Sequence, residues 1–291
     1  MSEPQAISWF PGHMAKTRRT ISESIKLVDA VAEIIDARIP VSSRNPELDK
    51  LVSGKPRIVL LNKADAADPV QTERWIEYFK NQGVYAIGVD CKTGKGLNAF
   101  VPLCKKILKD KIAAWEAKGM RNKILKIMVV GIPNSGKSSF INRMSKKSKA
   151  KVEDRPGVTR GNQWFPTDNG VDLLDTPGVL WPKFDDPIVG ERLAFTGAIK
   201  DNILDVETLA GRLLEILHAD YDDMLSARYK IESDGAQNGI ELLELIARKR
   251  GMLISGGEAD LERAAVTVLD EFRGGKIGRI TLEKADFQEV N

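Results

Sequence analysis

Cysteine is scarce in this 291-residue chain: Cys91 and Cys104 are the two that occur, with neither a CxxC pattern nor metal-ligand spacing. This argues against a disulfide framework and for a reducing compartment. No stretch approaches the roughly 18 consecutive apolar residues of a membrane span, and no basic-then-apolar leader opens the chain. Internal repeats and low-complexity tracts are missing as well. These absences predict a cytoplasmic protein without a membrane partner. What is present is an ordinary globular composition, 42% hydrophobic, long enough for a large domain plus a smaller one or for two of similar size.

The net charge of +3 hides an asymmetry. Residues 201–291 carry 11 Lys/Arg against 19 Asp/Glu, a net of −8, which leaves +11 on residues 1–200. Within the basic part, Lys105 to Lys126 holds eight cations and two anions, and Arg143 to Arg155 holds six and two. Either run alone reads equally as a solvated helix face. Two runs flanking one apolar strand favour a polyanion surface, because phosphate neutralisation supplies much of the affinity for nucleic acid.

Short β-branched runs bounded by turn residues, "VAEII" (31–35), "RIVLLN" (57–62) and "VYAIGV" (84–89), read as buried strands. "ILKIMVVG" (124–131) is the most apolar of the strands, and "VDLLD" (171–175) is another. Between them lie a helix over 70–82, capped by Asp68-Pro69, and one basic amphipathic helix from Leu97 to Trp115 that ends near Gly119. Alternating strands and helices predict an α/β domain with a mainly parallel sheet covered on both faces. After about residue 200, "VETLAGRLLEIL", "GIELLELIARKR" and "EADLERAAVTVLDEF" are three helical patterns. The expected division is therefore 1–200 for the α/β domain and 201–291 for an all-helical one.

Gly131 to Ser138, "GIPNSGKS", is G-x-x-x-x-G-K-S after a strand and before the helical pattern "SSFINRM". In such a loop, backbone N–H groups of Asn134, Ser135, Gly136 and the following Lys137, Ser138 and Ser139 face phosphate oxygens. The helix N-terminus adds positive potential, the Lys137 ammonium reaches the β/γ oxygens, and the Ser138 hydroxyl ligates Mg²⁺. Downstream, "DTPG" ends the strand "VDLL". Asp175 can hold the Mg²⁺ shell, and the Gly178 N–H can sense a γ-phosphate. Between the two motifs, "PGVT" (156–159) offers Thr159 as a second Mg²⁺ ligand; read blandly, it is a Pro-Gly turn.

"NKAD" (62–65) after "RIVLL" has the guanine-reading pattern. Asp65 accepts from the ring N–H and exocyclic amine of guanine, which adenine cannot offer there, so adenine would leave a carboxylate unpaired. Lys63 lies along the base with its aliphatic stem, and Asn62 ties this turn to the phosphate loop. Asp90-Cys91-Lys92 is a weaker companion, with the Cys91 backbone N–H expected to meet guanine O6.

The motif order is unusual, because the base-reading "NKAD" precedes the phosphate loop, giving the order numbered G4-G5-G1-G2-G3. A circular permutation of a P-loop GTPase domain explains it, since the termini of compact domains lie close together. The combination "WFPGHMAK", "DAR.P", "NKAD", "GIPNSGKSSFIN", "PGVT" and "DTPGVLWPKF", in that order over residues 7 to about 200, closely resembles the YlqF/RbgA ribosome-biogenesis GTPases. The resemblance implies a permuted GTPase that binds GTP and GDP, acts late in maturation of the large (50S) ribosomal subunit, and is stimulated by the ribosome. It also implies a C-terminal helical domain that contacts RNA, to which Arg248-Lys249-Arg250 would contribute if it does not merely finish a helix. A monomer is expected.

Many GTPases orient the attacking water with a glutamine directly after the switch glycine; here that position is Val179. Asn134 resembles an asparagine that holds K⁺ in several GTPases, or it stabilises the loop. His13 in "WFPGHMAK" matches the family's proposed catalytic histidine, or it packs or binds rRNA. Two other functions compete with ribosome assembly: a GTP-gated protein-binding switch without a nucleic-acid partner, and a P-loop kinase, disfavoured because "NKAD" has no role in one. Asp65→Asn is expected to weaken GTP binding and admit xanthosine nucleotides. Titration of fluorescent GDP and XDP analogues checks this, and unchanged guanine preference would refute the base assignment.

Overall fold

The computed structural model describes residues 14–52, 54–145, 163–167, 169–176, 186–199, 201, 205–232 and 238–285. Strands β1 (Ala30–Asp36), β2 (Arg57–Asn62), β3 (Tyr85–Gly88), β4 (Leu125–Val130), β5 (Gln163–Pro166) and β6 (Val171–Asp175) form a sheet in the order β3-β2-β1-β4-β6-β5. All neighbours are parallel except β5, which runs antiparallel to β6. The runs legible as continuous apolar stretches, β1, β2 and β4, are the central strands. Their side chains alternate between two covered faces, which is why both parities must be apolar.

The helices preceding or joining these strands are α1 (Met14–Ser24), α2 (Pro46–Leu51), α3 (Pro69–Asn81), α4 (Phe100–Ile107), α5 (Lys109–Ala117) and α6 (Lys137–Met144). On one face, Ala32, Ile34, Ile127 and Val129 pack against Phe100 and Cys104 of α4 and Phe140 of α6. The Phe100 and Phe140 rings meet edge to face at 5.0 Å, the arrangement their quadrupoles favour. On the other face, Ile35, Val59 and Leu61 pack against Trp75 and Phe79 of α3, while Val31, Met128 and Leu174 pack against Ile21 of α1 and Leu48 of α2. Because the sheet is parallel, the loops after β1, β2, β3, β4 and β6 all emerge at one edge, where ligands of such sheets bind.

The single helix expected over 97–115 is two helices broken at Leu108. The face of α4 is buried in the core, whereas α5 has no buried residue; the second segment leaves the core, so the helix cannot run straight through. Asp68 caps α3 as expected, accepting from the backbone N–H of Val70 and Gln71. The same Asx-Pro start recurs at Asn45-Pro46, which opens α2, and at Asp186-Pro187, which opens α7 (Pro187–Phe195). Strand β5 was also not expected: it is four residues at the sheet edge and ends in Pro166, too short for periodicity to reveal.

The helical unit comprises α7, α8 (Val206–Tyr229), α9 (Gly239–Lys249) and α10 (Leu261–Arg273). The grouping of residues differs from the expected division at 200/201. Described residues of 186–282 group into this unit, and 283–285 group with the α/β unit. The N-terminal shift has a physical cause in two arginines. Arg212 of α8 is paired with the buried Glu191 of α7 at 2.9 Å, and Arg273 of α10 donates to the Ala194 and Phe195 carbonyls that end α7. At the C-terminal end, the Trp75 indole N–H donates to the Glu283 carbonyl at 2.8 Å, and the Glu283 carboxylate accepts from the Val41 and Ser42 amides.

Within the helical unit, α8 and α9 touch at two glycines. A Cβ on Gly239 would lie 2.0 Å from the Gly211 carbonyl oxygen and 2.8 Å from the Gly211 Cα. All of these are backbone atoms that cannot swing aside. Gly239→Ala is therefore expected to destabilise this unit by about 1–3 kcal/mol through overpacking. A lowered melting temperature in far-UV circular dichroism checks it, and an unchanged one would contradict the contact.

Candidate nucleotide site

The phosphate loop after β4 and the base-reading turn after β2 are separated by about seventy residues of chain, yet one side chain joins them. Asn62, the last residue of β2, is buried, and its Nδ2 donates to the Ser135 carbonyl at 2.7 Å. Its Oδ1 accepts from the Cys91 backbone N–H at 2.9 Å. Both halves of the carboxamide are thereby satisfied, as a buried amide requires. The bridge passes directly over Gly136, where φ is +97° and a Cβ would sit 2.1 Å from Asn62 Nδ2. Glycine is needed here both for the left-handed backbone and for the space.

The Cys91 bond corrects one expectation. That amide is committed to Asn62 instead of facing a base oxygen, because the carboxamide lies between the two loops. The Cys91 thiol is no reagent either: burial, with the Asp90 charge beside it, pushes it up to about 12. Asp90 shapes this loop by accepting from the backbone N–H of Lys92 at 2.8 Å and Thr93 at 3.2 Å and from the Thr93 hydroxyl. Burial alone would raise the Asp90 carboxyl, but these hydrogen bonds and the Lys92 charge outweigh it and hold it below the usual range.

In the phosphate loop, Asn134 adopts φ +58°, a conformation that Asn tolerates better than most residues. Ser135 is buried, and its Oγ has no hydrogen-bond partner among the described residues. Lys137, first in α6, is also buried, with Nζ 3.9 Å from Asp175 Oδ1 at the end of β6. Burial pulls the Lys137 ammonium down from its ordinary value, and the Asp175 charge opposes that. A buried cation and an orphaned hydroxyl in one loop are costly; an anion with several acceptor oxygens relieves both. Ser138 and Ser139 follow in the first turn of α6, half-buried. A hydroxyl at Ser138 and a carboxylate at Asp175 form a hard-oxygen donor set, which suits Mg²⁺. Beyond Asp175, the Thr176 hydroxyl donates to the Val129 carbonyl at 2.7 Å and anchors the turn. His13, Thr159, Gly178 and Val179 lie outside the described residues.

On the base side Asp65 is exposed, and the Lys63 backbone has φ +60°. Lys63 Nζ pairs with Asp36 Oδ2 at 2.9 Å. Asp36 ends β1, in register with Asn62, and is also gripped by Arg38, whose Nε and Nη2 donate to its two oxygens at 2.9 and 2.8 Å. Arg38 is fully buried. Neither Asp36 nor Arg38 was singled out chemically from the sequence, although "DAR" directly after a strand carries the signal. Desolvation would raise the Asp36 carboxyl, but the Arg38 and Lys63 charges prevail and hold it far below the usual carboxylate range.

A depressed carboxyl contributes stability that is fully present above its unfolded value near 3.8 and is lost as pH falls through the folded one. Asp36→Asn leaves Arg38 buried without its counter-charge and is expected to cost about 3–5 kcal/mol. Urea midpoints at pH 7, 4 and 3 check this. The variant should start lower and lose less on acidification, and parallel curves would refute the role of Asp36.

Residues 126–232 match the model of a family described as 50S ribosome-binding GTPase. The chain is 48% identical over 278 residues to ribosome biogenesis GTPase A of Priestia megaterium, covering 95% of this chain and 96% of that protein. It is 33% identical to mitochondrial ribosome-associated GTPase 1 of Xenopus tropicalis, covering 97% and 96%. Among solved structures, GNP-bound YlqF from T. maritima is 31% identical, with a TM-score of 0.62 and coverage of 93% and 99%. Similarity at this level along nearly the whole length, in a chain whose loops after β2 and β4 are joined by Asn62, makes the chain a GTPase that belongs to the ribosome biogenesis GTPase A (YlqF/RbgA) family.

Proposed function

We propose that this GTPase acts late in assembly of the large ribosomal subunit and that the particle stimulates its turnover. The observation that carries the reading is the buried Asn62 bridge between base turn and phosphate loop, in a chain whose full-length relatives are named for ribosome biogenesis. The base turn follows β2 and the phosphate loop follows β4, which supports a circularly permuted GTPase domain.

In this reading, Asp65 selects guanine, Lys63 covers the base, and the 134–139 backbone with the Lys137 ammonium cradles the phosphates. Ser138, Thr159 and Asp175 would hold Mg²⁺, which when bound neutralises charge on the β- and γ-phosphate oxygens. Asn134 would hold K⁺. The Gly178 N–H would sense the γ-phosphate. With Val179 unable to hydrogen-bond water, His13 would orient the attacking water, its imidazole being able to accept a proton near neutral pH. The protein would work as a cytoplasmic monomer.

The test is the GTPase rate with and without purified large subunits at two salt concentrations. Stimulation that weakens at the higher salt is expected. No stimulation, or stimulation indifferent to salt, would overturn the reading in favour of a protein-binding switch. In the same assay, His13→Ala should keep GTP affinity near wild type while lowering stimulated kcat about 10²-fold or more; lost affinity with normal turnover would reverse the assignment.

A further inference from the structure

Five functional loops leave the carboxyl edge of the sheet, and the opposite, amino edge carries a chemistry that nucleotide hydrolysis does not use. Lysines lie over aromatic rings there at three places. Lys106 Nζ is 5.4 Å from the ring centre of Tyr85, which starts β3 and is exposed. Lys111 and Lys123 lie 5.4 and 4.4 Å from the half-buried Trp115 of α5. Lys126, at the start of β4, lies 5.3 Å from Trp164 of β5. The latter two places are tied together at the start of β1. Lys111 is paired with Asp29 at 2.6 Å, and the Lys126 backbone N–H donates to the same carboxylate at 2.8 Å. All eight cations between Lys105 and Lys126 are exposed.

In the helical unit, two of the three cations of the candidate cluster are engaged internally: Arg248 is paired with Glu244 at 2.7 Å, and Arg250 lies over Tyr229 at 5.2 Å, with Glu271 at 3.8 Å. Residues 201–291 are net acidic besides.

We propose that the amino-edge rim of the sheet, built from α4, α5 and the starts of β3 and β4, is an RNA-binding surface of the protein. The choice of RNA as the polyanion rests on the ribosome-assembly reading above. The chemistry matches: dispersed lysines neutralise backbone phosphates, and lysines that swing from the rings to phosphates free the ring faces for unpaired bases to stack. A lipid surface would ask for apolar side chains that insert, and Met120 and Ile124 are exposed on this rim; the recurrence of an aromatic ring beside each lysine group is what favours a polyanion with stacking bases, and the vesicle arm of the test separates the two. Placement at the edge opposite the phosphate loop leaves nucleotide entry open while RNA is bound.

The test uses the full chain and the variant Lys118→Glu/Lys123→Glu, with a second variant, Trp115→Leu. A fluorescein-labelled single-stranded RNA, a duplex of equal length, and vesicles of phosphatidylserine and phosphatidylcholine are the probes. The charge variant is expected to bind single-stranded RNA at least 10-fold more weakly at moderate salt, with the slope of log K against log salt reduced by about 1 for each lost phosphate contact. Trp115→Leu should weaken single-stranded RNA more than duplex, since stacking needs unpaired bases. GDP affinity should stay at the wild-type value in both, which shows that the fold is intact. RNA affinity and salt slope unchanged in the charge variant would overturn the proposal, as would binding to vesicles but not RNA. Wild-type stimulation by large subunits that survives in a charge variant with unchanged RNA binding would discard the rim alone; absent wild-type stimulation would discard the assembly reading itself.

Discussion

Asn62 is one carboxamide shared by three stretches of chain. It sits at the end of β2, donates to the loop after β4, and accepts from the loop after β3. Its burial makes both hydrogen bonds obligatory, because an amide group left unpaired there would cost about 1–3 kcal/mol. Gly136 exists in the form it does because this side chain occupies the volume a Cβ would need. The turn after β2 and the phosphate loop are thus held together by the protein's own hydrogen bonds, and preorganisation of this kind reduces what binding must spend on ordering loops.

The neighbouring charges follow the same logic. Asp36 is buried with Arg38 and Lys63 around it, so its desolvation is offset by two cations and a bidentate geometry. One consequence is local: Lys63, on a backbone with positive φ, is held over the edge of the sheet instead of sweeping through solvent. Lys137 is the contrasting case. Its carboxylate partner among the described residues, Asp175, is at 3.9 Å, a looser arrangement that leaves the ammonium available to phosphate oxygens. One cation is locked by its partners and the other is held in reserve, and each suits its position in the site.

Electrostatics also divides labour between the two units. The helical unit is acidic overall, and its arginines are largely used to join its own helices, as with Arg212 to Glu191, Arg228 to Glu271 and Arg273 to Asp201. The α/β unit carries the surplus of cations, and the run from Lys105 to Lys126 displays eight of them, all exposed. A family resemblance placing the RNA contact in the helical segment therefore meets a charge distribution pointing elsewhere, which is why the amino-edge rim is the surface to probe.

By itself the sequence determined the chemistry and the class of fold. The spacing of "GIPNSGKS", "DTPG" and "NKAD" was enough to nominate groups for phosphate, cation and base, because each motif is a short contiguous stretch. The apolar runs of β1, β2 and β4 were legible because a strand buried on both faces has no polar parity to confuse. Tertiary structure decided whatever depended on residues far apart in the chain. It committed the Cys91 amide to Asn62, assembled Asp36, Arg38 and Lys63 around one carboxylate, and broke the 97–115 helix where its core-facing stripe ends. It also moved the boundary between the units, because Arg212 and Arg273 bind α7 and because Glu283 returns to the loop after β1. Local propensity records none of these contacts, since each gains its strength from being buried beside a partner that the linear order does not reveal.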